Sequence, residues 1–370
     1  MVKYLSGYKG DYHIFVVSRS DELTGYLLEQ SINVGEITED GIRFLPGDQF
    51  VEFTPQEKLD FEIFTESDVV DISEKGILYR WYSVEEGDAG IATTPKCNSN
   101  CIMCPASDLE RKRKGLPIDV IKTIINYMPD DLHYFTITGG EPTLVGEESF
   151  LDIYRTVRTH MPNTKILLLT NGRTLGNKEF FDKFVMEDID KLRIAIPIHG
   201  STSEKHDYIT QSPGGFVQTM RGIKNVEKAG IELELRIVVS KLNCEDIDSI
   251  AQLIKKYFPE VSIVNFVGLE MRGNCAINSE KVIISYEEAF AKSKNAITYL
   301  LMNGIDAALY NFPYCMIDKD YWPLARKSIS AYKSNFYDEC SVCNMNRSCC
   351  GIFTATKAFY KPKVNPITEG

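Results

Sequence analysis

The sequence lacks the features of an exported or membrane-spanning protein. Its first residues, MVKYLSGYKGDYHIFVV, do not show the charged, apolar and small-residue succession of a signal peptide. No uncharged apolar run in the chain approaches the length needed to cross a bilayer. We therefore expect a soluble, cytoplasmic protein that does not bind a membrane.

An excess of positive charge is also missing. The chain has 41 Lys and Arg against 52 Asp and Glu, and a formal net charge of -11 at pH 7. Because proteins that bind nucleic-acid phosphates usually carry a basic excess, this balance argues against a nucleic-acid binder. The basic run from Arg111 to Lys114 fits either a solvated loop or a docking site for an acidic peptide.

Cysteine, in contrast, is abundant. Ten cysteines in 370 residues without an export signal indicate metal ligands rather than disulfides, because the cytosol keeps thiols reduced. They fall into two groups and two isolated positions, and we expect the isolated pair to be ordinary buried thiols. The first group is Cys97, Cys101 and Cys104, the second is Cys315, Cys340, Cys343, Cys349 and Cys350, and the isolated pair is Cys244 and Cys275.

Hydrophobic periodicity predicts three regions. Residues 1–87 form a small β-rich domain of short strands, residues 88–305 alternate apolar strands with amphipathic helices, and residues 306–370 form a cysteine-rich tail. The strands predicted in the second region are Ile91–Thr94, Tyr134–Thr138, Ile166–Thr170, Leu192–Ile198, Glu234–Val239 and Ser262–Val267. The helices predicted there are Asp119–Tyr127, Phe150–His160, Phe216–Ala229, Ile247–Phe258 and Tyr286–Met302. This alternation predicts an α/β fold, a partial (β/α)6 TIM-type barrel with chemistry at the carboxyl ends of its strands.

A CxxxCxxC loop, formed by Cys97, Cys101 and Cys104, follows the first of these strands. Thiolates hold iron–sulfur clusters, and a cluster of four irons with only three protein thiolates leaves one iron open to an external ligand. The amino and carboxylate groups of a methionine suit that iron. Half of a zinc site and a chance pattern in a cysteine-rich chain are the alternatives.

A second motif, Gly139-Gly140-Glu141-Pro142, follows the next strand. Paired glycines let the backbone approach a ligand where a side chain would obstruct it, although the same residues also fit a plain strand-ending turn. Two motifs in this order, at the ends of successive strands, argue against coincidence.

Together the two motifs resemble the radical S-adenosylmethionine (SAM) superfamily over about residues 90–273. The resemblance implies that a [4Fe-4S] cluster on the loop cysteines reductively cleaves SAM, and that the resulting 5′-deoxyadenosyl radical takes a hydrogen atom from the substrate. It also implies a set of SAM-binding residues, in which the backbone of Met103 meets the adenine. The set is Met103, Gly139, Gly140, Glu141, Pro142, Asn171 and Arg236.

Three of the candidate residues follow or occupy later strands. Asn171 belongs to an Asn-Gly pair that also fits a purely structural bend. His199 stands where the family has an acidic residue; it is a candidate catalytic group that accepts or delivers a proton, and a hydrogen-bonded structural histidine is the alternative. Arg236 alternates with apolar neighbours and is a candidate for the SAM carboxylate, against a salt bridge as the alternative.

The tail cysteines resemble the core of the SPASM extension, which carries auxiliary iron–sulfur clusters in peptide-modifying radical SAM enzymes. The tail is too short for the full seven-cysteine pattern, so the resemblance implies one auxiliary [4Fe-4S] cluster, with Cys350 as an alternative fourth ligand. A structural zinc on the same residues competes with this interpretation. The implied ligands are Cys315, Cys340, Cys343 and Cys349.

The sequence around these cysteines indicates a more specific resemblance. Residues 313–315, 322–330 and 349–353, with the CxxxCxxC loop, resemble the C-type maturases of the His-Xaa-Ser system, in which two radical SAM proteins act on a ribosomally made peptide. The resemblance implies a precursor peptide as substrate, a second radical SAM maturase as partner, and an electron donor such as flavodoxin or ferredoxin. A radical SAM enzyme for a small molecule or nucleotide, and a non-catalytic partner of another maturase, are the alternatives.

Overall fold

The computed structural model describes residues 2–85, 87, 89–328 and 333–368. By contacts between Cα atoms the chain divides into two compact units. The first comprises Met1–Thr93, Leu116–Thr138 and Glu148–Ile166, and the second comprises Thr94–Gly115, Gly139–Glu147 and Leu167–Gly370. No helix within these described ranges is long and apolar enough to cross a membrane.

The secondary structure alternates strands and helices from the middle of the chain onward. The strands are β1 Val2–Tyr4, β2 His13–Ser18, β3 Val34–Ile37, β4 Gly41–Leu45, β5 Gln49–Glu52, β6 Val69–Ile72, β7 Ile77–Tyr82, β8 Ala89–Ala92, β9 Tyr134–Thr138, β10 Lys165–Leu169, β11 Leu192–Pro197, β12 Glu232–Val238, β13 Ile263–Val267, β14 Asp306–Tyr310, β15 Ala325–Arg326, β16 Ser334–Asn335 and β17 Ile352–Phe353. The helices are α1 Asp21–Glu29, α2 Pro55–Phe61, α3 Asp108–Arg111, α4 Ile118–Tyr127, α5 Glu147–His160, α6 Lys178–Phe184, α7 Ser203–Thr210, α8 Gly215–Lys228, α9 Ile247–Tyr257, α10 Gly273–Ile277, α11 Ser279–Val282 and α12 Tyr286–Met302.

The first unit is built on a mostly antiparallel sheet. Its strands follow the order β9-β8-β7-β6-β2-β3-β4-β5, and β1 pairs with β7. The pairs β2–β3 and β8–β9 are parallel. Buried apolar side chains such as Phe15, Ile42 and Phe61 form its core.

Two helices of this unit, α1 and α2, were not predicted. Both begin at polar caps: the Ser20 side chain accepts the Leu23 N–H, and Thr54 and Glu57 form a reciprocal capping box with Pro55 in the first turn. The Thr-Pro-x-Glu pattern of the second is a start signal that was visible in the sequence.

The second unit contains a parallel sheet in the order β15-β14-β13-β12-β11-β10. Strands β11 to β15 run parallel, and their register aligns Pro197, Arg236, Asn265 and Ala308 on neighbouring strands. Residues alternate between the two faces of each strand, so these four side chains share one face. On β12 the other face carries Leu233, Leu235 and Ile237, which are all buried.

Amphipathic helices accompany these strands. In α9, Ile247, Ile250, Ala251 and Ile254 are buried and recur at intervals of three and four, which places them on one side of the helix. The mixed α/β fold with a large parallel sheet is confirmed. Strand β14 was not predicted; it pairs with β13 and begins at the boundary set at residue 306, so the parallel sheet continues into the predicted tail. Within the tail segment 322–330, Ile329 and Ser330 lie outside the described residues.

Candidate functional site

The CxxxCxxC loop follows β8 in the chain and is held by backbone hydrogen bonds to α7. Asn100 N–H donates to the Thr210 carbonyl oxygen at 3.0 Å, and Ile102 N–H donates to that of Ile209 at 2.9 Å. Within the loop, Cys104 N–H donates to the Cys101 carbonyl oxygen at 3.1 Å. The cysteines of the loop are free thiols of intermediate exposure.

These thiols influence one another electrostatically. Burial, and then the neighbouring Cys104 and Cys97, raise the pKa of Cys101 to about 12. Burial also raises the pKa of Cys97, to which the nearby Glu141 and Cys104 contribute. The raised pKa values of Cys97 and Cys101 favour their neutral thiols in the free protein, so a bound cation would be needed to hold both as thiolates, which is the behaviour of a metal or cluster site.

The loop is tied to the segment after β13 by side chains that the sequence analysis missed. Asn274 Nδ2 donates to Asn100 Oδ1 at 2.7 Å and to the Cys101 carbonyl oxygen at 3.2 Å, and Asn278 Nδ2 donates to the Ile102 carbonyl oxygen at 3.3 Å. In addition, the N–H of Cys275 donates to the carbonyl oxygen of Cys104 at 3.0 Å.

Arg111 serves the same loop and gives part of the basic run a structural role. Its side chain is buried and donates to the Ala106 carbonyl oxygen at 2.9 Å and to Asn100 Oδ1. Lys112 pairs with Asp108 one helical turn earlier. At these two positions the charges are therefore used within the protein.

The paired glycines lie against the segment that leads into the loop. Gly140 N–H donates to the Thr94 carbonyl oxygen at 2.8 Å, and a Cβ on Gly140 would lie 2.4 Å from the carbonyl oxygens of Pro95 and Lys96. Gly139 has φ 150°, and a Cβ there would lie 2.5 Å from the Thr94 carbonyl oxygen. Glycine is therefore required here for packing against this segment, independently of any ligand.

Glu141 is fully buried and is bound by protein donors. Its carboxylate accepts the Thr170 hydroxyl at 2.7 Å, the Asn171 N–H at 2.7 Å and the Thr143 hydroxyl at 2.8 Å. Burial raises the pKa of Glu141, and these hydrogen bonds oppose the shift. The side chain thus connects the turn after β9 with the turn after β10. Pro142 follows it as the first residue of a short 3-10 helix.

The turn after β10 contacts the cluster loop directly. Asn171 Nδ2 donates to Asn98 Oδ1 at 2.7 Å, and Arg173 donates from one guanidinium nitrogen to the Asn98 carbonyl oxygen at 2.5 Å and to the Ser99 hydroxyl at 3.2 Å. Arg173 was not predicted, although its position four residues after the end of β10 was a signal.

A chamber of about 340 Å³ lies beside the loop. Cys101, Met103 and Cys104 line it, and Met103 also packs with Ile209 and Leu269 in a small apolar cluster. Other walls come from Pro197, Val238, Val267, Gly268, Asn311 and Phe353. Glu270 and Lys333 line it as an ion pair, with 3.3 Å between Lys333 Nζ and Glu270 Oε1. A mostly apolar chamber with a few convergent polar groups is typical of a ligand site.

His199 also lines this chamber and is buried. Its backbone N–H donates to His206 Nδ1 at 3.3 Å, whereas its own ring atom Nδ1 has no hydrogen-bond partner in the part of the chain that the structure describes. Burial, and then His206, lower the pKa of His199 to about 3, so the ring is neutral at pH 7. His199 and two of the loop cysteines, Cys101 and Cys104, thus line the same chamber.

Arg236 lies on the face of β12 that it shares with Glu234, and its guanidinium already interacts with other residues. Its Nε donates to Glu234 Oε1 at 2.5 Å, and its guanidinium lies 5.8 Å from the ring centroid of Tyr310. Arg236 is not among the residues that line the chamber. The salt bridge that was its alternative interpretation is therefore present, and a contact with SAM stays a prediction.

The tail brings four of its cysteines around one cavity. Cys315, Cys340, Cys343 and Cys349 line this tail cavity together with Gly351 and Ile352. Cys343 Sγ accepts the Ile367 N–H at 3.4 Å, and Cys349 Sγ accepts the Gly351 N–H at 3.5 Å. The bond from Gly351 helps to lower the pKa of Cys349 and so favours the thiolate that a cluster requires.

Cys350 differs from its neighbour. It is buried against Phe353 and is not among the residues lining the tail cavity. Its thiol has two acceptors, the Gly351 carbonyl oxygen at 3.1 Å and the sulfur of Cys349. The second bond lowers the pKa of Cys349 to about 6 and raises that of Cys350. The negative charge therefore falls on Cys349, the sulfur that faces the cavity.

Across the described ranges no group of three or more His, Cys, Asp and Glu side chains is arranged to hold a metal ion. In a cluster each thiolate binds a different iron, so the sulfurs stand further apart than the ligands of a single ion. The donor sets at both cysteine groups, which consist of thiols alone, fit iron–sulfur clusters in their chemistry.

Comparison with known proteins agrees with this site. Residues 91–254 match the family model described as the radical SAM superfamily. The AdoMet-dependent heme synthase of Methanosarcina barkeri is 28% identical over 165 residues, which cover 44% of this chain and 45% of the relative. The cysteine-type anaerobic sulfatase-maturating enzyme of Clostridium novyi is 28% identical over 174 residues, which cover 43% of this chain and 45% of the relative. The chain thus spans less than half the length of these relatives.

Among solved structures, Streptococcus suis SuiB bound to precursor peptide SuiA aligns with a TM-score of 0.49 at 12% identity. The alignment covers 60% of this chain and 48% of that one.

Proposed function

Because the chain carries a radical SAM domain at residues 91–254, we propose that it is an enzyme that modifies a ribosomally made precursor peptide of the His-Xaa-Ser type. Cys97, Cys101 and Cys104 would hold a [4Fe-4S] cluster with one open iron. When bound, the cluster and SAM would supply reductive cleavage of SAM and abstraction of a hydrogen atom from the substrate. The product would be a cross-linked or otherwise oxidised peptide.

Residues around the loop would orient SAM and hold the cluster. The backbones of Gly139 and Gly140 border the loop, and Asn171 binds Asn98 within it. Glu141 would act by fixing these turns, because its carboxylate is already bound by protein donors. For Arg236 to bind the SAM carboxylate, it would exchange Glu234 for that group, a substitution of one charge-assisted hydrogen bond for another.

The chamber would hold the part of the peptide that reacts. At its wall lies His199 Nδ1, which has no partner among the described residues, and a neutral ring can accept a proton or a hydrogen bond from the substrate. The largely apolar lining would keep water and competing hydrogen donors away from the reacting C–H bond.

An auxiliary cluster on Cys315, Cys340, Cys343 and Cys349 is the second part of the proposal. The observation that supports it best is the placement of β17, in which Ile352 lines the tail cavity and the next residue, Phe353, lines the chamber. A cluster in the tail cavity would therefore be one strand away from the bound peptide. This position suits it to take up the electron left after hydrogen abstraction, or to bind the peptide.

The test is coexpression with a short peptide containing His-Xaa-Ser repeats, with and without this protein, followed by mass spectrometry of the peptide. We expect a mass loss that depends on Cys97, Cys101 and Cys104, on an electron donor such as flavodoxin or ferredoxin, and on a second maturase if one takes part. Anaerobically reconstituted protein that forms no 5′-deoxyadenosine with SAM, dithionite, peptide and partner would overturn the enzyme assignment.

Iron analysis tests the auxiliary cluster separately. Replacement of the three loop cysteines by alanine should leave about half of the iron bound, because two clusters of equal size are proposed. If that variant bound no iron, the auxiliary cluster would be excluded.

A small molecule is the second candidate substrate, since a relative of comparable identity is named as a heme synthase. Peptide and porphyrin substrates can be offered in the same anaerobic assay. Formation of 5′-deoxyadenosine that is stimulated by a porphyrin and not by the peptide would favour this candidate.

A further inference from the structure

Asn265 has an unusual position in the middle of β13. It is 1% exposed, and neither its Oδ1 nor its Nδ2 has a hydrogen-bond partner among the described residues. Buried side-chain amides nearly always have at least one partner, so each exception calls for an explanation. One explanation is that the amide binds a group that is absent from the free protein, such as a ligand.

The amide lies on the face of β13 that continues into the chamber. Val264 and Phe266 are fully buried on the opposite face, and the residue two positions further, Val267, lines the chamber. Asn265 is not itself a lining residue of the chamber; it lies two residues before the wall residue Val267 on the same face of β13, in register with Arg236 and Ala308 on the flanking strands.

Its neighbours leave the amide unoccupied. Arg236 donates to Glu234 and lies over the Tyr310 ring, and Ala308 has only a methyl group. The nearest side chains in register thus neither accept from Nδ2 nor donate to Oδ1. A carboxamide in this position destabilises the free protein until a ligand binds both of its ends.

The chemistry of the free groups indicates a neutral ligand. A carboxamide offers one acceptor and two donors in a plane, which complements a peptide amide group with its N–H and C=O. Among the described residues that line the chamber, His199 also has an atom without a partner, Nδ1, and its ring carries no charge at neutral pH. Neither group would compensate the charge of a carboxylate or phosphate.

We propose that Asn265 binds a backbone amide of the substrate peptide at the residue from which hydrogen is taken. This proposal rests on the proposed function, because it assumes that a peptide enters the chamber. Asn265 would fix the depth and rotation of the peptide, while His199 would contact it from the wall.

The variant is Asn265→Leu, which keeps the number and branching of the side-chain heavy atoms and removes both polar atoms. The matched control is Asn243→Leu, since Asn243 is equally buried but accepts the Ser240 N–H at 2.9 Å and donates to the Val238 carbonyl oxygen at 3.0 Å. Without SAM or peptide, Asn265→Leu should raise the midpoint of thermal unfolding and Asn243→Leu should lower it. A lowered midpoint for both would overturn the proposal, whether or not any peptide is a substrate.

With the His-Xaa-Ser peptide, Asn265→Leu should raise KM at least tenfold and leave peptide-independent formation of 5′-deoxyadenosine unchanged. An unchanged KM, or an equal loss of peptide-independent SAM cleavage, would overturn the assignment to the peptide. A wild-type protein that modifies no peptide overturns the proposed function and the peptide part of this proposal together, and that result is distinguishable from failure of the stability measurement.

Discussion

The Glu141 carboxylate accepts the backbone N–H of Asn171 at 2.7 Å, and this hydrogen bond joins the turns that follow two strands. A second bond, from the Thr170 hydroxyl, reinforces it. Since Asn171 in turn binds Asn98, the interior of the unit supports the cluster loop through an acidic residue that is itself out of reach of solvent.

Glu141→Ala should lower the free energy of unfolding by about 1–3 kcal/mol, because buried donors lose their acceptor. Urea unfolding of the cluster-free protein measures this change. Glu148→Ala is the control, since Glu148 is exposed and should have little effect. Equal stability of the two variants would contradict the bracing role of Glu141.

Arg173→Ala should reduce the iron bound at the first cluster, because the loop loses its bonds to the Asn98 carbonyl and the Ser99 hydroxyl. The iron-to-protein ratio is best measured with the tail cysteines replaced by alanine, so that only the loop contributes. Lys178→Ala removes a charge from an exposed pair with Asp182 and should leave that ratio unchanged. An unchanged ratio for Arg173→Ala would show that the loop forms without this contact.

Cys349→Ala should abolish iron binding by the tail, whereas Cys350→Ala should retain most of it. The reason is that Cys349 faces the tail cavity and carries the negative charge, while Cys350 is buried against Phe353. The measurement is iron and sulfide content with the three loop cysteines replaced by alanine. The reverse result would make Cys350 the fourth ligand.

Gly140→Ala should destabilise the protein and reduce iron binding, because its Cβ would lie 2.4 Å from two backbone carbonyl oxygens. Gly25→Ala is a control with the opposite sign. Gly25 lies in α1, a Cβ there meets no described atom within 4 Å, and alanine should add about 0.5–1 kcal/mol of stability. A harmless Gly140→Ala would mean that the two segments separate at little cost.

The lowered pKa of His206 predicts that the free energy of unfolding decreases in acid. Burial lowers the pKa of His206 to about 4, against about 6.5 in an unfolded chain. Between these values the unfolded state binds more protons, so stability falls as the pH falls, by at most about 1.4 kcal/mol per pH unit for one group. His206→Asn should reduce this slope in urea unfolding of the cluster-free protein, and the exposed His133→Asn should not. A slope unchanged in both would contradict the assignment.

Local patterns in the sequence predicted the features that depend on neighbouring residues. Strand β9 and helix α12 have the predicted bounds, because their apolar spacing is regular and their ends are well marked. The thiol spacing of the loop places three cysteines close together in the chain, as a cluster site requires, and their role as cluster ligands stays a prediction. Strand β14 was missed because five residues of mixed character carry little periodicity.

The supports of the site could not be predicted in this way. Asn274 and Asn100 are separated by 174 residues, and nothing near either of them indicates the other. Arg111 looked like part of a solvated basic run, and only the fold shows that it is buried. Likewise, the free amide of Asn265 is a property of its neighbours on β12 and β14, which the sequence does not pair.

The short strand β17 determines which tail residues face the tail cavity and which face the chamber. Because successive residues of a strand point to opposite sides, Ile352 and Phe353 divide the tail cavity from the chamber by parity alone. Inserting one residue after Gly351 would exchange the two faces, and inserting two would restore them. Length variation at this point should therefore be tolerated in even steps and rejected in odd ones.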